Sequence, residues 1–236
     1  MNKTERVDKI LSNLGIGTRK EVKYFLRDKR VKLNGNIVTD AGTKVKPDDQ
    51  LQYDDEILDW KEFVYYMINK PTGCITATED PNEKTIMDYL SERDQGKKLF
   101  PIGRLDKDTE GFLILTNDGM LNHNLTSPKH HIYKTYLVHV DKDLEKSDIL
   151  AFEKGVTLDE GYVCLPAKLE ILDKTQAIVQ IREGKFRQIR RMFTALGKEV
   201  VYLKRTKMGD LPLDDSLDLG QYRELTEDEL EILRKK

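Results

Sequence analysis

The stretch GFLILT at residues 111–116 leaves this chain the least freedom. It is apolar from Phe112 to Leu115 and is followed at once by Asn117-Asp118-Gly119, so it reads as a buried strand ending in a turn. The ten residues before it, PIGRLDKDTE, hold three acids, two bases and a threonine. A charged loop that runs straight into a buried strand brings carboxylates to the edge of a core. Asp106 is therefore either a working group or one more solvated charge, and the rest of the chain has to decide which.

Other segments supply partners for that strand. FVYYMINKPTG, from Phe63, reads as a buried strand closed by a Lys-Pro-Thr-Gly turn, and residues 132–140 and 176–182 are further strand candidates. Thr226 to Glu229 form a capping box that opens a C-terminal helix. Mixed spacing with Gly-rich turns points to an α+β domain on a mainly antiparallel mixed sheet flanked by helices and loops.

The first 50 residues follow a different pattern. Val7, Ile10, Leu11 and Leu14 keep helical spacing, with Gly15 placed as the stop. Thr18 to Glu21 form a second capping box, for a helix burying Val22, Phe25 and Leu26. VKLNGNIV then makes a hairpin around Asn34-Gly35. The acidic stretch DDQLQYDDEILDW reads as a last strand plus a linker. The expected division is a small helix–helix–hairpin module over residues 1–60 and a larger domain over 61–236.

Charge sharpens this division. The net charge is −2, yet residues 1–36 hold ten Lys/Arg against four acids, and 184–207 hold eight against one. Residues 37–60 and 208–236 reverse the balance, with two against seven and four against nine. Two basic blocks, each placed on an expected helix, suit contact with a polyanion. The exposed faces of the first two helices carry Arg6, Lys9, Arg19, Lys20, Lys23 and Arg27.

Several chemistries lack their signatures. His123, His130, His131 and His139 have no metal-ligand spacing with an acid partner, so no metal is expected. Cys74 and Cys164 stand far apart, which gives neither a disulfide framework nor a zinc ribbon. There is no Walker loop, Gly-x-Ser-x-Gly or Gly-x-Gly-x-x-Gly. No apolar run approaches the roughly 20 residues of a membrane span, and the N-terminus has no signal-peptide core. A cytoplasmic monomer is the simplest expectation.

RVDKILS, GIGTRKEV and VKLNG together resemble the small RNA-binding module of the fourth small-subunit ribosomal protein. GRLDKDTEGFLILTNDG, over seventeen positions, resembles the signature of RsuA-family pseudouridine synthases, Gly-Arg-Leu-Asp-x-x-Thr-x-Gly-Leu-Leu-Leu-Leu-Thr-Asn-Asp-Gly. Only Phe112 and Ile114 depart from it, as apolar substitutions. MINKPTG, SPKHHIYKTY and EGKFRQIRRMF match further family segments in order.

The resemblance implies isomerisation of a uridine to pseudouridine in ribosomal RNA or a ribosomal precursor particle, with no cofactor. The segments lie nearer the branch acting on 16S small-subunit rRNA, at a uridine-516-type site. A 23S large-subunit synthase is the alternative, and a catalytically inactive rRNA-binding assembly factor a more distant one. By resemblance Asp106 is the catalytic carboxylate, Tyr136 stacks on the target base, and Arg190 pairs with Asp106. Helical periodicity buries Ile189, Met192 and Phe193 and leaves Arg190 at the boundary, which suits that pairing. Arg104, Arg187, Arg191 and Lys70 are the expected substrate-binding residues, while Asp108 and Glu110 read as solvated. Where the small-subunit branch often has His-Gln-Val-Lys, this chain has Arg187-Gln188-Ile189-Arg190.

Overall fold

The computed structural model describes residues 4–127 and 132–235. His130 and His131, weighed above as metal ligands, lie outside the described residues. The chain divides into two units, one of residues up to Val64 with Leu90–Leu99, the other of Tyr65–Tyr89 with residues from Phe100 onward.

In the first unit a short strand β1 (Glu5–Arg6) leads into α1 (Val7–Asn13) and then α2 (Arg19–Arg27). The capping box of α2 forms as expected: the Glu21 amide donates to Thr18 Oγ1 at 3.3 Å and the Thr18 amide to Glu21 Oε2 at 2.7 Å. Strands β2 (Val31–Leu33) and β3 (Asn36–Ile37) turn at Asn34 and Gly35, whose φ values are +51° and +80°. β4 (Lys44–Val45) pairs with β1. The acidic stretch is not one strand and a linker but a second hairpin, β5 (Leu51–Tyr53) and β6 (Glu56–Leu58). Its turn is Asp54-Asp55, both at positive φ, and it lacks the glycine that usually announces such a turn. The sheet order is β3-β2-β5-β6, and Val7, Leu11, Val22, Leu26, Val31, Val45 and Leu51 form a core with no exposure. Helix α3 (Glu92–Gln95) belongs to this unit.

The second unit is built on one large sheet. Its strands are β7 (Tyr65–Lys70), β8 (Phe100–Pro101), β9 (Glu110–Thr116), β10 (Lys134–Val140), β11 (Lys168–Asp173), β12 (Gln176–Ile181), β13 (Val200–Met208), β14 (Leu211–Pro212) and β15 (Tyr222–Glu224). The order along the sheet is β11-β12-β10-β13-β9-β7-β15, with β14 beside β13 and β8 beside β9. Only the β13–β9 pair is parallel among the described strands, so the sheet is mixed and mainly antiparallel, as expected. Phe112, Leu113, Ile114 and Leu115 of β9 are wholly buried, which is why this strand sits inside the sheet and its sequence does not alternate. Helices α4 (Gly119–Thr126), α5 (Lys146–Lys154), α6 (Gln188–Ala195) and α7 (Glu227–Arg234) complete the unit. No helix among the described residues is long and apolar enough to cross a membrane.

The second basic block is not one helix. It is split between α6 and β13, and Arg205 of β13 is only 2% exposed, so part of that charge lies in the interior.

Candidate active site

Asp106 lies in the loop between β8 and β9, just ahead of the buried strand rather than within it. Leu105 is buried between exposed Arg104 and half-buried Asp106. Three supports fix this loop. Thr76 Oγ1 donates to the Leu105 carbonyl at 2.7 Å and accepts from the Leu105 amide at 3.2 Å. The Gly73 amide donates to the Lys107 carbonyl at 2.8 Å. Lys70 Nζ donates to the carbonyls of Pro71, Asp106 and Thr109 at 3.0, 3.1 and 3.1 Å.

Lys70 was expected to bind substrate, but it is wholly buried and its donors are engaged by main-chain carbonyls. It therefore acts on the loop. Burial lowers its pKa, and the charges of Cys74, Asp108, Asp106 and Glu110 oppose that shift.

The sheet register sets the other groups against this loop. Lys70 pairs with Gly111, Gly111 with Arg205, Arg205 with Tyr136 and Tyr136 with Val179. Paired residues share a face, so Lys70, Arg205 and Tyr136 stand in one row across β7, β13 and β10, with β9 and the loop it carries between β7 and β13. Tyr136 is 7% exposed. Gly111 is required here, because a Cβ would come within 2.2 Å of the Arg205 carbonyl oxygen, and its φ is +102°. Arg205 donates from Nε to the Phe112 carbonyl at 2.7 Å, and one of its terminal nitrogens is buried with no hydrogen-bond partner among the described residues.

Arg187, which caps the start of α6, and Arg190 within it reach the same loop at a different residue. Arg187 makes a two-pronged pair with the Asp108 carboxylate at 3.0 and 2.8 Å. Arg190 lies 3.3 Å from that carboxylate, donates to the Asp108 carbonyl at 2.9 Å and donates to the Val200 carbonyl at 2.8 Å. The expected Arg190–Asp106 ion pair is thus replaced by one to Asp108, which is not a solvated charge. Burial raises the Asp108 pKa, but the hydrogen bonds from Arg187 and the charge of Arg190 outweigh it and hold the carboxyl below its usual value. Glu110 is engaged too, accepting the Tyr202 hydroxyl at 2.9 Å. Among the described residues, no side chain hydrogen-bonds or ion-pairs with the Asp106 carboxylate. Arg191 is held by Asp159 at 2.7 Å and Glu160 at 3.1 Å.

On the first unit, Arg19, Lys20, Lys23 and Arg27 are exposed along α2, and Arg27 also lies 4.8 Å over the ring of half-exposed Tyr24. Arg6 pairs with Asp8 at 2.9 Å, and Lys9 pairs with Glu5. Sequence reasoning missed the roles of Asp108 and Arg205. Asp108 has the one readable signal, since it stands two residues from Asp106 in a turn too short to separate them. Arg205 is hidden in a Lys-Arg pair that looks like surface charge.

A polar loop braced against a sheet that also carries a buried tyrosine and cations accompanies a separate helix–helix–hairpin unit, as the resemblance to an RNA-modifying enzyme implies. The family model for RNA pseudouridylate synthase matches residues 64–195, and that for the S4 domain matches residues 5–51. The chain belongs to the RNA pseudouridylate synthase family, in its RsuA-like branch with an S4 domain. It is 46% identical over 235 residues to an uncharacterized RNA pseudouridine synthase, YtzG, of Bacillus subtilis, covering 98% of both chains. It is 42% identical over 233 residues to ribosomal small subunit pseudouridine synthase A of Haemophilus influenzae, covering 98% of this chain and 100% of that one. The Escherichia coli K12 protein of the same name is 39% identical over 228 residues, with 95% and 98% covered. A crystal structure of a pseudouridylate synthase superposes with a TM-score of 0.70 at 40% identity, covering 97% of this chain and 99% of that one.

Proposed function

We propose that the protein isomerises one uridine of 16S small-subunit rRNA, at a uridine-516-type site, with Asp106 as the catalytic carboxylate. The observation that carries this reading is the state of Asp106. Its backbone is held by Lys70, while its carboxylate has no hydrogen-bond or ion-pair partner among the described residues. A carboxylate kept in place but uncommitted is suited to an electron-poor ribose carbon or the base attached to it. In the reaction the bond from ribose C1′ to base N1 breaks, the base turns, C5 bonds to C1′, C5 loses its proton and N1 takes one up, so no net proton is gained or lost. No oxidant or external nucleophile is consumed.

Tyr136 supplies an aromatic face for a base taken out of its stack. Arg190 and Arg187 keep the loop closed through Asp108 and place positive charge beside Asp106, while Arg104 and Arg191 meet phosphates. Arg6, Lys9, Arg19, Lys20, Lys23 and Arg27 add sequence-independent phosphate contacts through the S4 domain. The relatives named as small-subunit synthases support 16S rRNA as the substrate. Arg187, where that branch often has histidine, is what favours the 23S alternative. The protein works on rRNA or a precursor particle in the cytoplasm.

The test is to map pseudouridine in both large rRNAs of a strain lacking the protein. Loss of one 16S pseudouridine is expected. Loss of a 23S pseudouridine with 16S unchanged assigns the second reading, and no loss in either contradicts both.

A further inference from the structure

Phe186 stands in the loop between β12 and α6 with 74% of its surface exposed, although it is among the most apolar side chains in the protein. Exposure alone would mean little on a loose loop, but here the residues on either side of Phe186 are braced. The Lys185 amide donates to Gln188 Oε1 at 3.0 Å, and Gln188 Nε2 donates to Glu183 Oε1 at 2.8 Å. Glu183 also accepts the Leu165 amide at 2.7 Å and the Tyr162 hydroxyl at 2.8 Å. Arg187 follows in the left-handed region, φ +47°, with its guanidinium anchored on Asp108. The ring is therefore held outward, between Lys185 and Arg187 in sequence, on the loop that reaches across to the Asp106 segment.

We propose that Phe186 is a base-stacking residue, whose ring takes an unpaired base flanking the target uridine in the substrate RNA. The inference rests on the reading of the protein as a uridine isomerase and adds a contact outside the reacting nucleotide. An exposed aromatic ring on a braced loop suits a nucleobase, and the loop also carries Lys185, whose ammonium lies over the Tyr162 ring, and Arg187, held on Asp108. Such a partner is needed because withdrawal of the target base leaves its neighbours without their stacking contact. Tyr136 does not meet that need, because its face is assigned to the withdrawn base itself.

The test uses the full chain and an RNA fragment containing the target uridine. Phe186→Ala should raise KM about tenfold with kcat and the unfolding midpoint unchanged. Phe186→Trp should restore KM, and Phe186→Leu, apolar but without a π-face, should not. Removing the base of the flanking nucleotide should raise the wild-type KM by the same factor and leave that of Phe186→Ala no higher. Wild-type KM in Phe186→Leu overturns the proposal, as does independent multiplication of the two losses at every flanking position. Absence of pseudouridine formation by the wild type overturns the functional reading itself, and the stacking role with it.

Discussion

At the level of single residues the site is governed by buried charge. Among the described residues Lys134, two residues before Tyr136 on β10, donates one long hydrogen bond, 3.3 Å, to the Ile132 carbonyl. Burial, and then the positive charge of Arg205, push its pKa down from 10.5 to about 8. Between those values the unfolded chain binds the extra proton and the folded one does not, so stability rises with pH through that window. Below it both states are protonated, and the folded state carries the full burden of a confined ammonium. Lys134→Met should therefore have a higher denaturation midpoint than the wild type at pH 7. That advantage should shrink as pH rises from about 8 to about 10, as denaturant titrations at both ends of the range would show. A pH-independent difference contradicts the assignment of strain to this ammonium.

Among the elements, the parallel pairing of β9 and β13 is the join on which the site depends. Gly111 lets the two backbones approach, and the loop carrying Asp106 hangs from the same strand. Gly111→Ala should destabilise the protein by roughly 3 kcal/mol, because neither the Arg205 backbone nor a φ of +102° accommodates a methyl group. A midpoint within about 0.5 kcal/mol of the wild type would show that the strands separate easily. Much of this architecture is legible in sequence. FLILT is a buried strand because nothing polar interrupts it, and both capping boxes name their helix starts. β13 is not legible, because VVYLKRTKM mixes surface lysines with one interior arginine, and only pairing with β9 and β10 tells them apart. The Asp106 loop follows the same rule. Its motif singles out the carboxylate, but which acid the arginines of α6 hold depends on how that helix meets the loop.

For the molecule as a whole, the uneven charge matters more than the net value of −2. Exposed cations along α2 should bind phosphates and contribute affinity without chemistry. Replacing Arg19, Lys20, Lys23 and Arg27 together by glutamine should weaken RNA binding. The slope of log affinity against log salt should fall by about 0.7–0.9 for each phosphate that the variant no longer neutralises. Turnover at saturating RNA should be unchanged. A salt slope equal to that of the wild type would remove α2 from the RNA-binding surface.

Everything in this mechanism turns on Asp106 as the group that performs the isomerisation. The decisive comparison sets Asp106→Asn against the wild type on rRNA, scoring pseudouridine. The substitution keeps the size of a side chain without a hydrogen-bond or ion-pair partner among the described residues, so folding and RNA affinity should be preserved. The variant should form no detectable pseudouridine under conditions where the wild type converts its site completely. Pseudouridine formed by Asp106→Asn at the wild-type rate would contradict the assignment.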